Sequence, residues 1–267
     1  MIPLRDRIPT RRRPVVTMAL ILINVVIFVF SIAQPSRTLG RADGDGRVTV
    51  SGFDAITLEY GFKPCELQSE CPHPGRGEAL PLGATDADDA VEVRIPHVSA
   101  LFTLLSAMFM HGGWLHLIGN MLFLWIFGNN VEDAMHRGLY LAYYLLCGLA
   151  ASLTQFAIDT ASDVPNIGAS GAIAGVLGGY LLLYPRARVL TVVPLLVFFY
   201  VVEIPAVLVL ATWFGLQLLD GSAALAAPGE SFGVAYFAHI GGFVAGFALV
   251  RLVATRRLRR VPGAGYA

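Results

Sequence analysis

Few polar side chains interrupt the apolar stretches of this chain, and those that do are of types that carry out chemistry. The segment NIGASGAIAGVLGGY, residues 166–180, sets one serine, Ser170, among glycines. AHIGG brings His239, and MHGGWLHLIGN brings His111, His116 and Asn120. A polar group in a membrane span is costly and by default signals function. A serine hydroxyl becomes a nucleophile beside a base, and a neutral imidazole within hydrogen-bond reach is the usual one. Peptide hydrolysis also needs donors for the oxyanion that develops on the attacked carbonyl. His116 and Asn120 are four residues apart and share one helix face. His111 lies just over a turn earlier, beyond the pair Gly112 and Gly113. Glu203 also falls in an apolar run, but its place at the start of a span fits a water–lipid interface better than a catalytic role.

The elements that must position these residues are membrane helices. Of 267 residues, 55% are apolar and 14% charged, and the mean hydropathy is +0.64. A soluble domain carries about 25% charged residues, so the composition predicts an all-α, multi-pass membrane protein. No basic block is interleaved with aromatics, so nucleic-acid binding has no support. There is no internal repeat, and no glycine motif follows a strand as a phosphate or dinucleotide loop requires.

A span needs about 20 apolar residues. The first run, Val15 to Ala33, follows Arg11, Arg12 and Arg13. Signal-peptide apolar regions are shorter, about 7–15 residues, which favours an uncleaved span. Pro35 to Pro96 is rich in Gly, Pro and Asp and reads as a long extramembrane loop with some local structure. Val98 to Phe127 is too long for one span. A break at Gly112–Gly113 would leave a half-buried helix and then a span from about Trp114 to Gly128. Leu139 to Ile158 and Ser170 to Tyr184 follow. Val189 to Leu219 is again too long and reads as an interfacial stretch before a span from about Val202 to Leu219, with Pro205 in its first turn. The last run is Val234 to Val250. The expected organisation is a basic cytoplasmic N-terminus (1–14), a first transmembrane helix (15–33), an extracytoplasmic loop (34–97), a core of five further helices (98–254) and a basic cytoplasmic tail (255–267).

Loop arginines set the orientation. Six spans place Arg5, Arg7, Arg11 to Arg13, Arg137, Arg186, Arg188 and the arginines of the tail on one side, and the acidic loop with Asp159, Asp163, Asp220 and Glu230 on the other. Ser170, His239, His116 and Asn120 then all lie in the outer half of the bilayer, where water reaches. Gly171, Gly175 and Gly179 form a stripe at a spacing of four, as do Gly242 and Gly246. Such stripes let helix backbones approach closely. If the two face each other, Ser170 meets His239.

Of the three cysteines, Cys147 lies in an apolar run and reads as a packed core residue. Cys65 and Cys71 lie in the polar loop CELQSECPH and could form a small disulfide loop in an oxidising compartment. His73 is close by, but no second pair of ligands with zinc spacing is present.

HGGWLHLIGN, GASGAIAGVLGGY and AHIGGFVAG together resemble the signature segments of the rhomboid family of intramembrane serine proteases, in order and spacing, from about Val98 to Val250. The resemblance implies a six-helix rhomboid-like bundle that cuts single-span or multi-span membrane proteins in the lipid bilayer of a cell membrane, without cofactor or metal. It implies Ser170 as nucleophile and His239 as general base. His116, Asn120 and the Ser170 backbone N–H would form the oxyanion site, with His111 architectural. Gly168 resembles a family glycine that leaves room for backbone to approach the substrate. No carboxylate is expected beside His239, so the prediction is a Ser–His dyad. Two features depart from some family members. The position four after the serine is Ala174 instead of a tyrosine against the catalytic histidine, so another group must hold the ring. The first loop is long and lacks a Trp-Arg pair.

Three rival readings are weaker. Inactive rhomboid-like proteins that bind membrane clients typically lack the serine or histidine, and both are present. A transporter would extend its polar pathway to the inner half and often shows repeats. A zincin-type metalloprotease needs a glutamate between histidines four apart, which the segment with His111 and His116 lacks.

Overall fold

The computed structural model of the protein describes residues 1–41, 46–68, 76–79, 91–96, 98–195, 197–226 and 235–254. The chain opens with a strand, β1 (Ile2–Asp6), where a plain basic segment is expected. Helix α1 (Val15–Ile32) follows. Its first N–H groups, which no helix can satisfy internally, are met from outside. The buried carboxylate of Glu132 accepts from Val16 N at 3.1 Å and from Thr17 N at 2.8 Å. Pro35, just past the end of α1, stops its continuation.

The long first loop has local structure and a small core of its own. β2 (Arg37–Gly40) and β3 (Arg47–Val50) pair as a hairpin. α2 (Gly52–Tyr60) is capped by Ser51, whose Oγ accepts from Asp54 N at 3.0 Å. A 3-10 turn spans Pro64–Leu67, and β4 (Arg76–Ala79) pairs with β5 (Val91–Arg94). Val50, Ala55, Leu58, Val93 and Ile95 cluster beneath these elements. Cys65 is buried and disulfide-bonded. Cys71, its expected partner, and His73 lie outside the described residues.

The Gly112–Gly113 break is real. α3 (Ala100–Ser106) and the 3-10 turn Ala107–Phe109 meet α4 (Trp114–Phe123) at a bend of 81°. The second span does not end at Gly128. A π-turn, Leu124–Gly128, leads into α5 (Asn129–Asp133). The polar residues that suggested an end are buried and bonded: Asn130 to the Asp6 carboxylate, and Glu132 to the start of α1.

Helix α6 (Arg137–Ile158) leads through a loop to α7 (Ser170–Leu183). α7 is apolar all round, which marks a helix enclosed by others; Ala172, Ile173, Ala174, Val176, Leu177 and Tyr180 are all buried.

The stretch after α7 differs most from expectation. Where an interfacial stretch is expected, the chain forms a hairpin, β6 (Arg188–Leu195) and β7 (Phe198–Pro205), with Val189 opposite Ile204 and Leu195 opposite Phe198. β1 adds to the free edge of β6, Asp6 opposite Val189, giving the sheet order β1-β6-β7. Runs of Val, Phe and Tyr suit strands, and Pro194, without an N–H, does not suit a helix interior. Pro205 therefore ends β7 and is not in the first turn of a span. Glu203 lies on β7 and pairs with Arg7.

α8 (Ala206–Ala226) and α9 (Tyr236–Val253) are the last described helices. The α8 range replaces the expected span of about Val202 to Leu219. Among the described residues four helices, α1, α6, α8 and α9, are long and apolar enough to cross a membrane, and the bent pair built on α3 and α4, taken as one span, makes a fifth. α7 is a shorter apolar helix.

The glycine stripes are contact surfaces, with one correction to their partners. A Cβ on Gly242 or Gly246 would strike the carbonyl oxygen of Gly171 or Gly175, so α9 lies backbone to backbone on α7. On α7, however, Gly171 and Gly179 face mainly Ala151 and Tyr143 of α6, while Gly178, off the stripe, faces the Phe243 carbonyl of α9.

Candidate active site

α7 has 14 residues, or about 21 Å of helix, against a hydrocarbon core of about 30 Å. With its far end at one boundary, its first residue, Ser170, lies below the other. A non-helical loop at such a depth is tolerated only where it is covered by protein or lines a wet cavity. Protein covers the loop before Ser170. Asn166 exchanges backbone hydrogen bonds with Phe62 of the first loop, at 2.7 and 3.1 Å, and Gly168 N donates to Ala107 O at 2.8 Å. A narrow cleft of about 40 Å³ is lined by Gly168, Ser170, Met108, Gly148, Gln155 and Ala238.

α9 brings His239 to the serine. Ser170 Oγ and His239 Nε2 are 2.7 Å apart. The close α7–α9 contact sets this distance, because Gly171 and Gly242 follow Ser170 and His239 on the touching faces. The first turn of α9 is tied to α6 as well, where Gln155 Oε1 accepts from Ala238 N at 3.3 Å.

The other ring nitrogen of His239 is also engaged. Nδ1 lies 2.7 Å from Oε1 of Gln217 on α8. An amide oxygen only accepts, so Nδ1 carries the ring proton and Nε2 is left free to accept from Ser170 Oγ. Trp213, one turn before Gln217, sets its ring 5.9 Å from the imidazole at 40°. These two side chains hold the ring that Ala174, buried within α7, leaves unsupported. Sequence reasoning missed both. The signal for Gln217 was the one that found the other polar residues, an amide side chain in an apolar span.

His116 lies across Gly168 from the serine. Gly112 N donates to His116 Nδ1 at 3.2 Å, so the ring proton is on Nε2. A Cβ on Gly168 would stand 2.9 Å from His116 Nε2 and 3.4 Å from Ser170 Oγ. The φ of Gly168 is +133°, in the region that favours glycine. The absent side chain thus leaves a small space bounded by an N–H donor and the hydroxyl. Asn120, one turn beyond His116, is buried, and its Nδ2 has no partner among the described residues. At the start of α7 the first backbone N–H groups, Ser170 among them, have no partner inside the helix. His111 is buried edge-on against His116, with ring centres 5.1 Å apart, and does not line the space beside the serine. Among the described residues no three His, Cys, Asp or Glu side chains form a metal-ligating group.

Ser170, His239, His116 and Gly168 are therefore assembled in one place, with Asn120 on the same helix face as His116. The arrangement contains a hydroxyl hydrogen-bonded to an imidazole, with donors nearby.

Residues 98–256 match the Rhomboid domain. The chain is 28% identical over 179 residues to Rhomboid protein 1, mitochondrial, of Saccharomyces cerevisiae, covering 63% of this chain and 48% of that protein. It is 35% identical over 153 residues to RHOMBOID-like protein 4 of Arabidopsis thaliana, covering 55% and 32%. It is 41% identical over 78 residues to Rhomboid protease GluP of Bacillus subtilis, covering 29% and 15%. The chain thus spans less than half the length of each of these relatives. The domain match takes in more than half of this chain, including every residue of the site, and by it the chain belongs to the rhomboid family.

Proposed function

We propose that this protein is an intramembrane serine endopeptidase that hydrolyses peptide bonds in or near the transmembrane segments of membrane proteins. The observation that carries this reading is the 2.7 Å separation of Ser170 Oγ and His239 Nε2. The name of one relative, Rhomboid protease GluP, agrees with it.

In this mechanism His239 Nε2 takes the hydroxyl proton as Ser170 Oγ attacks the scissile carbonyl. The negative oxygen of the tetrahedral intermediate faces the Ser170 N–H, His116 Nε2–H and the unpartnered Nδ2 of Asn120. Such donors contribute about 3–4 kcal/mol each in favourable cases. The imidazolium then gives its proton to the leaving amine. Water attacks the resulting ester, His239 takes its proton, and Ser170 is restored. The chemistry needs no cofactor. A helical amide is closed to attack, so substrates are single-span or multi-span proteins whose segment unwinds near the cut. We place the N- and C-termini in the cytoplasm and the site opening on the extracytoplasmic side of a cell membrane, from the distribution of arginines in the sequence.

The test is cleavage of a single-span substrate in liposomes. Ser170→Ala and His239→Ala should each abolish it, and a fluorophosphonate should label the wild type but not Ser170→Ala. Chelators should have no effect. Retained cleavage in Ser170→Ala would overturn the assignment. A wild type that binds membrane clients but neither cuts nor labels would be an inactive rhomboid-like protein instead.

A further inference from the structure

A serine hydrolase usually fixes its histidine with a buried carboxylate, which holds the tautomer and orients the ring. The bond from His239 Nδ1 to Gln217 Oε1, at 2.7 Å, does the same geometric work with a neutral group. Gln217 and Trp213 are four residues apart on α8, so they share a face, and both meet the same imidazole. The nearest carboxylate along α8, Asp220, is exposed.

We propose that Gln217 is the positioning residue for His239, set where a Ser–His–Asp triad has its acid. The proposal rests on the reading of Ser170 and His239 as nucleophile and base. It makes the base depend on three helices: α9 carries the ring, α7 presents the hydroxyl and α8 fixes the tautomer. Movement of α8 away from α9 would free Nδ1 and let the ring turn from Ser170.

A neutral acceptor orients the ring but adds no negative charge beside the imidazolium. Charge and orientation are therefore separable by substitution, in the full chain reconstituted in liposomes. Gln217→Met keeps the length and apolar stem and removes the acceptor. It should lower kcat and the rate of fluorophosphonate labelling roughly 10- to 100-fold, the range for losing a partner that orients a functional imidazole, with KM little changed. Gln217→Glu restores an acceptor and should recover most of the labelling rate. Its carboxylate favours the protonated ring, so the acid limb of the pH–rate profile should move to higher pH by about one unit or more. The other titratable groups on the helices around His239 are His116 on α4, Asp220 on α8, Tyr236 and Arg251 on α9, Arg137, Cys147 and the tyrosines of α6, and Tyr180 of α7. They are the same in all three proteins, so a moved limb reports His239 coupled to the introduced carboxylate.

A wild-type kcat and labelling rate in Gln217→Met would overturn the proposal. So would equal losses in both variants with an unmoved acid limb, which would make Gln217 a packing residue only. Labelling of Ser170→Ala would instead overturn the assignment of the nucleophile, whatever the Gln217 variants do.

Discussion

The α-carbon of Gly242 faces the carbonyl oxygen of Gly171 with no room between them for a methyl group. Because Gly171 follows Ser170 and Gly242 lies one turn after His239, this contact fixes the spacing of the proposed nucleophile and base. Gly242→Ala must push α9 away from α7. A misplacement of about 1 Å at reacting groups can cost about 100-fold in rate, and overpacking a close contact costs about 1–3 kcal/mol. The expected outcome is a labelling rate reduced by about two orders of magnitude together with a lower melting temperature in detergent. Gly215→Ala on α8, where a Cβ meets nothing within 4 Å, is the matched control and should lower neither, since alanine is the better helix former. Wild-type labelling by Gly242→Ala would show that the helix contact does not set the site.

Gly168→Ala separates function from folding. The new methyl would enter the space between His116 Nε2 and Ser170 Oγ, and the backbone would hold a φ of +133° that alanine resists. Strain of this kind costs about 1–3 kcal/mol, which lowers stability without unfolding the chain. The larger effect falls on turnover, because the methyl stands where the proposed mechanism places the oxyanion beside its donor. Removing one oxyanion donor costs about 100- to 1,000-fold in kcat, and a similar loss is expected in liposome cleavage. Gly113→Ala, with nothing within 4 Å of its Cβ, should cleave like the wild type.

Much of the candidate site was legible because a polar residue in a membrane span has few structural uses. Ser170, His239, His116 and Asn120 each stood out in an apolar run, and Gly112–Gly113 showed where a long run must bend. Gln217 carried the same signal and was overlooked beside the stronger motifs. The hairpin of β6 and β7 was not legible from hydropathy, because Val189 to Val202 is as apolar as a helix, and its β-branched and aromatic content was the cue to strands. Its third strand is set by residues at the other end of the chain, which no local pattern reveals. The stripe of Gly171, Gly175 and Gly179 does bring α9 against α7, at Gly171 and Gly175, but α6 covers the same glycines, because spacing fixes which residues share a face and not every helix that packs on it.

Glu132 ties the second span to the first. Its Oε1 accepts from Val16 N at 3.1 Å, and its Oε2 accepts from Thr17 N at 2.8 Å and Thr17 Oγ at 2.9 Å. A carboxylate at a helix N-terminus also interacts favourably with the helix dipole. Glu132→Gln keeps the shape but presents only one oxygen, so an NH2 group must face a donor. Leaving a buried donor unsatisfied costs about 1–3 kcal/mol. The melting temperature should fall, while labelling of the folded fraction at low temperature stays at the wild-type rate. An unchanged melting temperature would mean that water or a shifted backbone satisfies α1 instead.

Asp6 makes the sheet at the end of the bundle remote from Ser170 sensitive to pH. Its buried carboxylate accepts from Asn130 Nδ2 at 2.5 Å and from Tyr180 Oη at 2.7 Å, so it joins β1 to α5 and to the end of α7 remote from Ser170. Burial pushes this carboxyl up from 3.8 to about 6, against the opposing pull of the Tyr180 hydrogen bond. A carboxyl whose pKa is raised by folding binds its proton more tightly in the folded state, so its contribution to stability is fully present below 3.8 and is lost as pH rises through about 6. Asp6→Asn keeps an oxygen to accept both hydrogen bonds and has no charge to bury. The variant should melt above the wild type at pH 7.5, and the difference should shrink steadily as pH falls toward 4. Other carboxylates titrate in both proteins, so the difference between the two melting curves isolates Asp6. A difference that stays constant from pH 4.5 to 7.5 would show that the charge of Asp6 is not held at a cost in the folded chain.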